Sequence, residues 1–396
     1  MEQYMLAKHS FLSRRKGLIR YLPAMVLAKI LRSFFYFYFR KKKIVLIGGH
    51  CGEKYADNAA ALHQFLLKNG PSYTVYFGLN HRHDPIAETI GGPVFQLGTI
   101  WNYLLYDHAV ACYYSHSLES DVAPEIDFTR LANPKLTKVY LGHGIDGLKR
   151  NLFIFDTRRS TFFICSSERE KQIKNKYWGI PEKKLMVTGM PRYDTLYLKR
   201  MHRPSRTILY MPTWREWLNA DPSFFSSSFY QHVSGFLNSH ELDTVLKRHG
   251  YQLNVMLHPF LHSVFSEFAG KNRSLSSITF CRPGQNIQEL ILASDMLITD
   301  YSSVSWDFYY LSKPVLFFQF DQTEYLEKRG AYLDFSKDLF GSVTFHEKET
   351  VKHLDQILSL KKPEDYYRHQ VSQKDHFDFY DTDNCQRVIK YTLPRS

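Results

Sequence analysis

The chain has 396 residues, of which 44% are hydrophobic and 23% charged, enough apolar side chains for the cores of two ordinary domains, so wholesale disorder is excluded. The five cysteines are scattered without a CxxC pair, which argues against a disulfide framework or a structural zinc site. The net charge is +12, and residues 1–43 carry most of it, with 11 basic residues against one acidic residue. Because the remaining body is nearly neutral, we expect no nucleic-acid partner.

Residues 1–43 form a basic, aromatic N-terminal segment. Charges at Arg20, Lys29 and Arg32 interrupt its most apolar stretch, so neither a membrane span nor a signal peptide is predicted. Pro23 suits the first position of a helix, on which basic residues would form a stripe beside a wide apolar face. This pattern predicts a helix lying on an anionic membrane surface; the alternative is a helix packed on the folded body.

From Lys43 onward, short apolar runs alternate with helical patterns in two successive series. The runs are apolar on both faces, which is typical of parallel strands covered by helices. Strands are predicted at 44–47, 74–79, 109–114, 138–141, 162–165 and 185–187, then at 207–211, 253–257, 278–281, 296–299 and 315–318. Helices are predicted at 57–68, 168–177, 241–249, 287–293 and 304–311.

This alternation predicts an α/β fold with two doubly wound, Rossmann-like domains and a ligand cleft between them. The predicted boundaries place the N-terminal domain at 44–205 and the C-terminal domain at 206–360. Closing helices are expected in the polar, aromatic tail at 361–396.

Two histidines follow predicted strands, where a doubly wound sheet binds ligands. His143 lies between two glycines and precedes Lys149; such glycines leave an imidazole uncovered and able to take up a proton near neutral pH. His258 follows a strand of the second series. For both histidines a structural role is the alternative interpretation.

Two further segments carry groups suited to phosphate. Arg215 follows a strand, and its guanidinium fork suits a phosphate, although pairing with an acid such as Glu216 is equally consistent. Ser302 or Ser303 opens a predicted helix, where free amides and hydroxyls favour an anion. Asp300 precedes them and suits catalysis, ribose binding or helix capping. No metal-binding spacing is found among the 18 histidines.

Taken together, these segments resemble the CDP-glycerol glycerophosphotransferase family, the teichoic acid primases and polymerases. The resemblance extends over about residues 44–345, and the matching motifs, in the order expected of the family, lie at 188–194, 212–215, 258–259 and 294–321. One motif departs from the family, which usually has His-Gly-Thr-Pro-Leu-Lys. Here His143-Gly144 is followed by Ile-Asp-Gly before Leu-Lys, one residue longer and without the proline.

The resemblance implies a two-domain GT-B fold and an enzyme of teichoic acid or capsule synthesis, held peripherally at the cytoplasmic face of the cell membrane. It would move glycerol phosphate or ribitol phosphate from CDP-glycerol or CDP-ribitol to a hydroxyl of a lipid-linked saccharide or growing polymer, releasing CMP. No cofactor is implied, and the role of magnesium stays open.

The resemblance also implies roles for individual residues. His143 would be the general base and His258 a group acting on the donor diphosphate. The donor would be held by Thr213, Arg215, Asp300, Ser302 and Ser303. The acceptor side would include Gly144, Lys149, Arg192 and Asp194.

Two other functions stay open at this stage. One is a GT-B glycosyltransferase that uses a nucleotide sugar, since the same scaffold hosts many chemistries. The other is a non-catalytic scaffold at the membrane surface that binds an anionic polymer through residues 1–43.

Overall fold

The computed structural model describes residues 2–151, 159–200, 205–218, 224–258, 276–282, 284–360, 366 and 376–394, with side chains described from residue 17 onward. The strands are β1 (Lys43–Gly48), β2 (Tyr73–Leu79), β3 (Val94–Gln96), β4 (Ala109–Tyr114), β5 (Thr137–Tyr140), β6 (Phe162–Cys165), β7 (Leu185–Val187), β8 (Thr207–Met211), β9 (Gln252–Val255), β10 (Ile278–Phe280), β11 (Met296–Thr299), β12 (Val315–Phe318) and β13 (Ser342–Thr344).

The helices are α1 (Glu2–Phe39), α2 (Asp57–Asn69), α3 (Ile100–His108), α4 (Leu118–Asp121), α5 (Glu168–Trp178), α6 (Arg192–Leu198), α7 (Ser228–Leu237), α8 (His240–His249), α9 (Ile287–Leu292), α10 (Val304–Tyr310), α11 (Gln322–Lys328), α12 (Glu347–Leu358) and α13 (Asn384–Thr392). Every strand and helix predicted between residues 44 and 318 is present, with ends shifted by at most two residues. Short elements without a strong apolar pattern, such as β3 and β13, were not predicted.

The strands form two separate parallel sheets. The first has the order β3-β2-β1-β4-β5-β6-β7 and the second the order β10-β9-β8-β11-β12-β13. In each sheet the order reverses at one pair of neighbours, β1 with β4 and β8 with β11, where Gly48 lies beside Tyr114 and Thr299 beside Met211. Ligands of open parallel sheets bind beyond the carboxyl ends of the strands at such a switch point. The predicted doubly wound α/β class is therefore confirmed.

The chain divides into two compact units. Unit 1 comprises Met1–His143, Phe155–Thr195 and Asp381–Ser396, and unit 2 comprises Gly144–Ile154 and Leu196–Tyr380. This division differs from the predicted boundaries. Residues 144–154 and those from Leu196 onward belong to unit 2, and the N-terminal segment and the C-terminal helix belong to unit 1. The tail predicted to form closing helices contains α13, while its residues 361–365, 367–375 and 395–396 lie outside the described residues.

Asp194 explains why α13 belongs to unit 1. Its carboxylate accepts hydrogen bonds from the backbone amides of Asn384 and Cys385, each at 2.9 Å. These amides lie in the first turn of α13, where helix N–H groups have no partner in the helix. Burial raises the pKa of Asp194 despite these bonds. Asp194 thus anchors α13, a role that the sequence did not predict, and its contact with an acceptor stays a prediction.

Helix α1 is one continuous helix, with Pro23 inside it. The expectation that Pro23 opens the helix is wrong: proline removes one backbone hydrogen bond, and the helix continues on both sides. One face packs on α3 and buries Met25, Ala28 and Phe39. Lys29 forms an ion pair of 2.5 Å with Asp107 of α3. One residue of the basic stripe therefore stabilises the packing of α1 on unit 1.

The opposite face of α1 is apolar and exposed. Its side chains include Ile19, Leu22, Val26, Leu27, Ile30, Phe34 and Phe37. By length and composition alone, Gly17–Phe39 is long and apolar enough to cross a membrane. The buried face of the same helix, however, packs against α3. We call the seven exposed residues the apolar face of α1. One face of α1 therefore packs on unit 1, as the alternative interpretation expects, while the membrane-surface interpretation of the exposed face stays a prediction.

Replacing Phe39 by Ala tests the packing of α1 on unit 1. The ring is 2% exposed and contacts Trp101 and His108, with centroid distances of 5.6 and 4.6 Å. We expect a loss of about 3–5 kcal/mol in the free energy of unfolding of unit 1, measured by urea denaturation. The control Phe37→Ala, in a side chain 72% exposed, should change it by less than about 0.5 kcal/mol. Equal effects of the two variants would contradict this packing.

Candidate functional site

In unit 1 the loops after β1 and β4 are tied together by one buried carboxylate. Asp121, fully buried at the end of α4, accepts the amide of Cys51 on Oδ1 at 2.9 Å. Its Oδ2 accepts the amides of Ser115 and His116 at 2.9 and 2.7 Å. Burial alone would raise the pKa of Asp121, but the His116 imidazole, with Nδ1 3.7 Å from Oδ2, and the loop amides lower it. Asp121 is therefore an ionised anchor at the switch point.

Three imidazoles lie in a row at this edge of the sheet. The ring centroid of His116 is 5.4 Å from that of His50 and 4.0 Å from that of His143. They follow β1, β4 and β5, three neighbouring strands. Although residue His143 is exposed as a whole, burial of its imidazole among its neighbours lowers its pKa to about 4, and His116 adds to the lowering. His143 is thus neutral near pH 7 and can accept a proton.

Two buried side chains, those of Arg192 and Asn58, hold the backbone at His143 by hydrogen bonds. Arg192 is 4% exposed and donates from Nη1 to Asp57 Oδ1 at 2.8 Å and to the carbonyl of His143 at 3.1 Å. Asn58 donates to the preceding carbonyl, that of Gly142, at 3.0 Å. Arg192 therefore positions His143, which corrects the expectation that its guanidinium contacts an acceptor.

In unit 2 the switch point between β8 and β11 is organised by Asp300. This buried carboxylate accepts the amides of Thr213 and Tyr301 on Oδ1, at 2.8 and 2.6 Å. Its Oδ2 lies 2.9 Å from Nη2 of Arg215. The predicted donor-binding residue Asp300 thus holds together the loops that follow both strands.

Arg215 is entirely buried and cannot meet a phosphate directly. Its guanidinium donates to Asp321 from Nε and Nη2, at 2.7 and 2.9 Å, and four aromatic rings surround it. Burial alone would lower the pKa of Arg215, but Asp300 and Asp321 raise it. The expectation of a phosphate ligand is therefore wrong. The acids that pair with Arg215 are Asp300 and Asp321 rather than Glu216, because Glu216 pairs with Arg329 at 2.6 Å.

Hydroxyl groups remain available at the same edge of unit 2. Thr213 Oγ1 is buried and has no hydrogen-bond partner among the described residues. Ser302 and Ser303 are partly exposed, and the side chain of Ser303 makes no capping bond to α10. Because α10 has only seven residues, its dipole is small, and the hydroxyls carry most of the polarity predicted there.

The remaining predicted residues also lie in unit 2. His258 follows β9 and is half-buried. Gly144 lies against Ser303, since a Cβ on Gly144 would approach Ser303 Oγ to 2.9 Å. The structure thus places Gly144, predicted on the acceptor side, beside a residue predicted to bind the donor. Lys149 is exposed in the same unit.

Sequence reasoning missed His116, Asp121, Asp57 and Asp321. His116 follows a predicted strand just as His143 does, so its position was a usable signal. His50 lies in a glycine-rich loop after β1 that matches neither GxGxxG nor a Walker loop and is therefore a weak signal. Asp57 and Asp321 gave no local signal, because their partners Arg192 and Arg215 are 135 and 106 residues away.

The two doubly wound units define a GT-B type α/β protein. A solved structure of the wall teichoic acid polymerase TagF shares this fold, with a TM-score of 0.67 and 20% identity over 96% of this chain and 97% of that chain. Residues 30–393 match the sequence model of the CDP-Glycerol:Poly(glycerophosphate) glycerophosphotransferase family, and the chain belongs to that family. The predicted family and fold are confirmed.

Curated relatives agree with this assignment. The chain is 28% identical to a teichoic acid poly(glycerol phosphate) polymerase of Bacillus subtilis (strain 168), over 81% of this chain and 44% of the relative. It is also 28% identical to a teichoic acid poly(ribitol-phosphate) polymerase of Bacillus spizizenii (strain ATCC 23059 / NRRL B-14472 / W23), over 59% of this chain and 37% of the relative. The chain thus spans less than half of the length of these two relatives.

Replacing Arg215 by Met tests whether it is the counterion of unit 2. Removing this charge leaves Asp300 and Asp321 buried without compensation, and we expect a loss of about 3–5 kcal/mol in the free energy of unfolding. The control Arg248→Met removes a 58% exposed partner of Asp355 and should lose less than about 1 kcal/mol. Urea denaturation of both variants measures this. A loss for Arg215→Met as small as that of the control would show that its ion pairs do not stabilise unit 2.

Proposed function

We propose that this protein transfers glycerol phosphate or ribitol phosphate from CDP-glycerol or CDP-ribitol to a hydroxyl of a lipid-linked saccharide or growing polymer. One observation carries the proposal: a chain of this family presents the exposed, neutral imidazole of His143 on a buried support at the switch-point edge of unit 1. Relatives named as glycerol phosphate and ribitol phosphate polymerases, and a TagF structure soaked with CDPG, support a CDP-alditol donor.

In the proposed reaction, His143 takes the proton of the acceptor hydroxyl as its oxygen attacks the phosphorus that bears the alditol. A new phosphorus–oxygen bond forms, the bond from that phosphorus to the oxygen of CMP breaks, and CMP leaves with that electron pair. Arg192 and Asn58 fix the backbone on either side of His143 and so fix the position of its ring. A base held this way needs little reorganisation during transfer.

On the donor side, groups of unit 2 would meet the diphosphate. The hydroxyls of Thr213, Ser302 and Ser303 would donate hydrogen bonds, and His258 would stabilise the charge on the leaving phosphate. Arg215 and Asp300 act as positioning residues, since their charges compensate one another and hold the loops after β8 and β11.

The apolar face of α1 supports a peripheral position on the cytoplasmic side of the membrane, where a lipid-linked acceptor is presented. Side chains such as Phe34 and Phe37 are 80% and 72% exposed, which is unusual for aromatic rings unless they meet a partner. Lysines at 41–43 follow directly and would face anionic headgroups. An apolar face with adjoining positive charge favours an anionic lipid surface over a neutral partner.

Alanine substitutions test the two histidines. We expect His143→Ala and His258→Ala each to lower turnover by about 100-fold or more, the magnitude typical of a lost acid–base group, with no change in the unfolding midpoint. CMP release in the presence of acceptor is the measurement. The control His232→Ala alters a partly exposed histidine that pairs with Glu347 and should leave turnover unchanged. Wild-type rates in both variants would overturn these roles and favour a non-catalytic scaffold.

A donor screen tests the reaction class. CDP-glycerol, CDP-ribitol and a set of UDP- and CMP-sugars are each incubated with a synthetic lipid-linked acceptor, and the products are identified by mass spectrometry. We expect mass gain and CMP only with a CDP-alditol. Turnover of a nucleotide sugar, with neither CDP-alditol used, would make the protein a glycosyltransferase.

Vesicle binding tests the membrane surface. We expect the double variant Phe34→Ser, Phe37→Ser and a triple variant with the lysines at 41–43 changed to Gln to bind phosphatidylglycerol vesicles more weakly in co-sedimentation. Each lysine contributes about 1 kcal/mol at such a surface, so the triple variant should lose roughly 100-fold in affinity at low salt. Leu198→Ser, in a side chain 71% exposed in unit 2, is the control. Unchanged binding of both variants would exclude α1 as the attachment site.

A further inference from the structure

The switch point of unit 1 contains a second group of side chains that the proposed transfer does not use. Cys51, His116 and Asp121 each offer one ligand atom, and these atoms all lie within 4.8 Å of one another. They come from the loop after β1, the loop after β4 and the end of α4, three segments that the parallel sheet brings to one edge. We propose that they form a binding site for one thiophilic divalent cation of the Zn²⁺ class.

Two of the three ligand groups, those of His116 and Asp121, lie close together at this edge. The carboxylate of Asp121 is fixed by the amides of Cys51, Ser115 and His116, so it is rigid as well as buried. Nδ1 of His116 is buried, lies 3.7 Å from Asp121 Oδ2 and has no hydrogen-bond partner within the part of the chain that the structure describes. A buried polar nitrogen without a partner is costly, and a cation bound there would satisfy it.

The donor set selects the class of cation. Sulfur and imidazole nitrogen favour Zn²⁺ and similar transition metals, whereas Mg²⁺ and Ca²⁺ prefer oxygen ligands. Tetrahedral Zn²⁺ holds its ligand atoms roughly 3.4 Å apart, given its ordinary bond lengths, so modest side-chain rotations close the site. Cys51 is partly exposed, which gives the ion a route of entry, and its thiol releases a proton to solvent on binding. A water molecule would complete the coordination.

The position of the site connects it with the rest of unit 1. The ring of His116 lies against that of His143, so a metal bound to His116 Nδ1 fixes the ring that packs on the candidate base. Cys51 and Asp121 likewise join the loops on both sides of the switch point. The inference rests on this geometry alone and does not depend on the proposed transfer reaction.

Titration of the chelator-treated full chain with Co²⁺ tests the site, because a cobalt–thiolate bond gives a charge-transfer band in the near ultraviolet. We expect one equivalent of Co²⁺ to produce that band, Zn²⁺ to remove it by competition, and Mg²⁺ to leave it unchanged. Cys51→Ser should abolish the band, and His116→Gln should lower the affinity by about 10–100-fold or more. The controls Cys281→Ser and His232→Gln should bind Co²⁺ as the unaltered chain does.

Either of two results would overturn the proposal. The first is the absence of a thiolate band at saturating Co²⁺ in the unaltered chain. The second is a band of undiminished intensity in Cys51→Ser, which would place the metal on another cysteine. Because serine differs from cysteine by one atom and Cys51 is partly exposed, Cys51→Ser should fold; its thermal unfolding midpoint, compared with that of Cys281→Ser, verifies this.

Discussion

Every candidate group in this protein depends on one constraint of parallel sheets: the carboxyl ends of all strands meet at the same edge. Both sheets reverse their order at one pair of neighbours, and the loops that follow those neighbours carry the polar side chains. His50 and His116 follow β1 and β4, while Thr213 and Asp300 follow β8 and β11. Residues far apart in the sequence thus become neighbours without any of them contributing to a hydrophobic core.

A buried carboxylate anchors each switch point, and the two are compensated differently. Asp121 is surrounded by backbone amides, whereas Asp300 combines amides with the guanidinium of Arg215. An ionised group inside a protein is tolerated only when such partners replace water. The carboxylates therefore fix loop geometry, and the groups proposed to meet a substrate are the imidazole of His143 and the hydroxyls of Thr213, Ser302 and Ser303.

Much of the fold was predictable from the sequence because its signal is local. Runs such as residues 44–47, apolar on both faces, identify buried parallel strands, and the alternation with helical patterns identifies the class. The site was predictable only where a polar residue directly follows a strand, as His143 does. Arg215 shows the limit: its position after β8 was visible, but its partner Asp321 is 106 residues away, so burial could not be foreseen. The contact between Asp194 and α13 could not be predicted for the same reason, because its partners are 190 and 191 residues away.

The central claim is that the phosphorus bearing the alditol is the atom attacked. It is tested most directly with CDP-glycerol labelled at that phosphorus and a lipid-linked acceptor. The account predicts that the label passes to the lipid-linked product and that one CMP is released per transfer. Label retained in a released CDP, with an unphosphorylated unit added to the acceptor, would contradict the account and indicate glycosyltransferase-like chemistry.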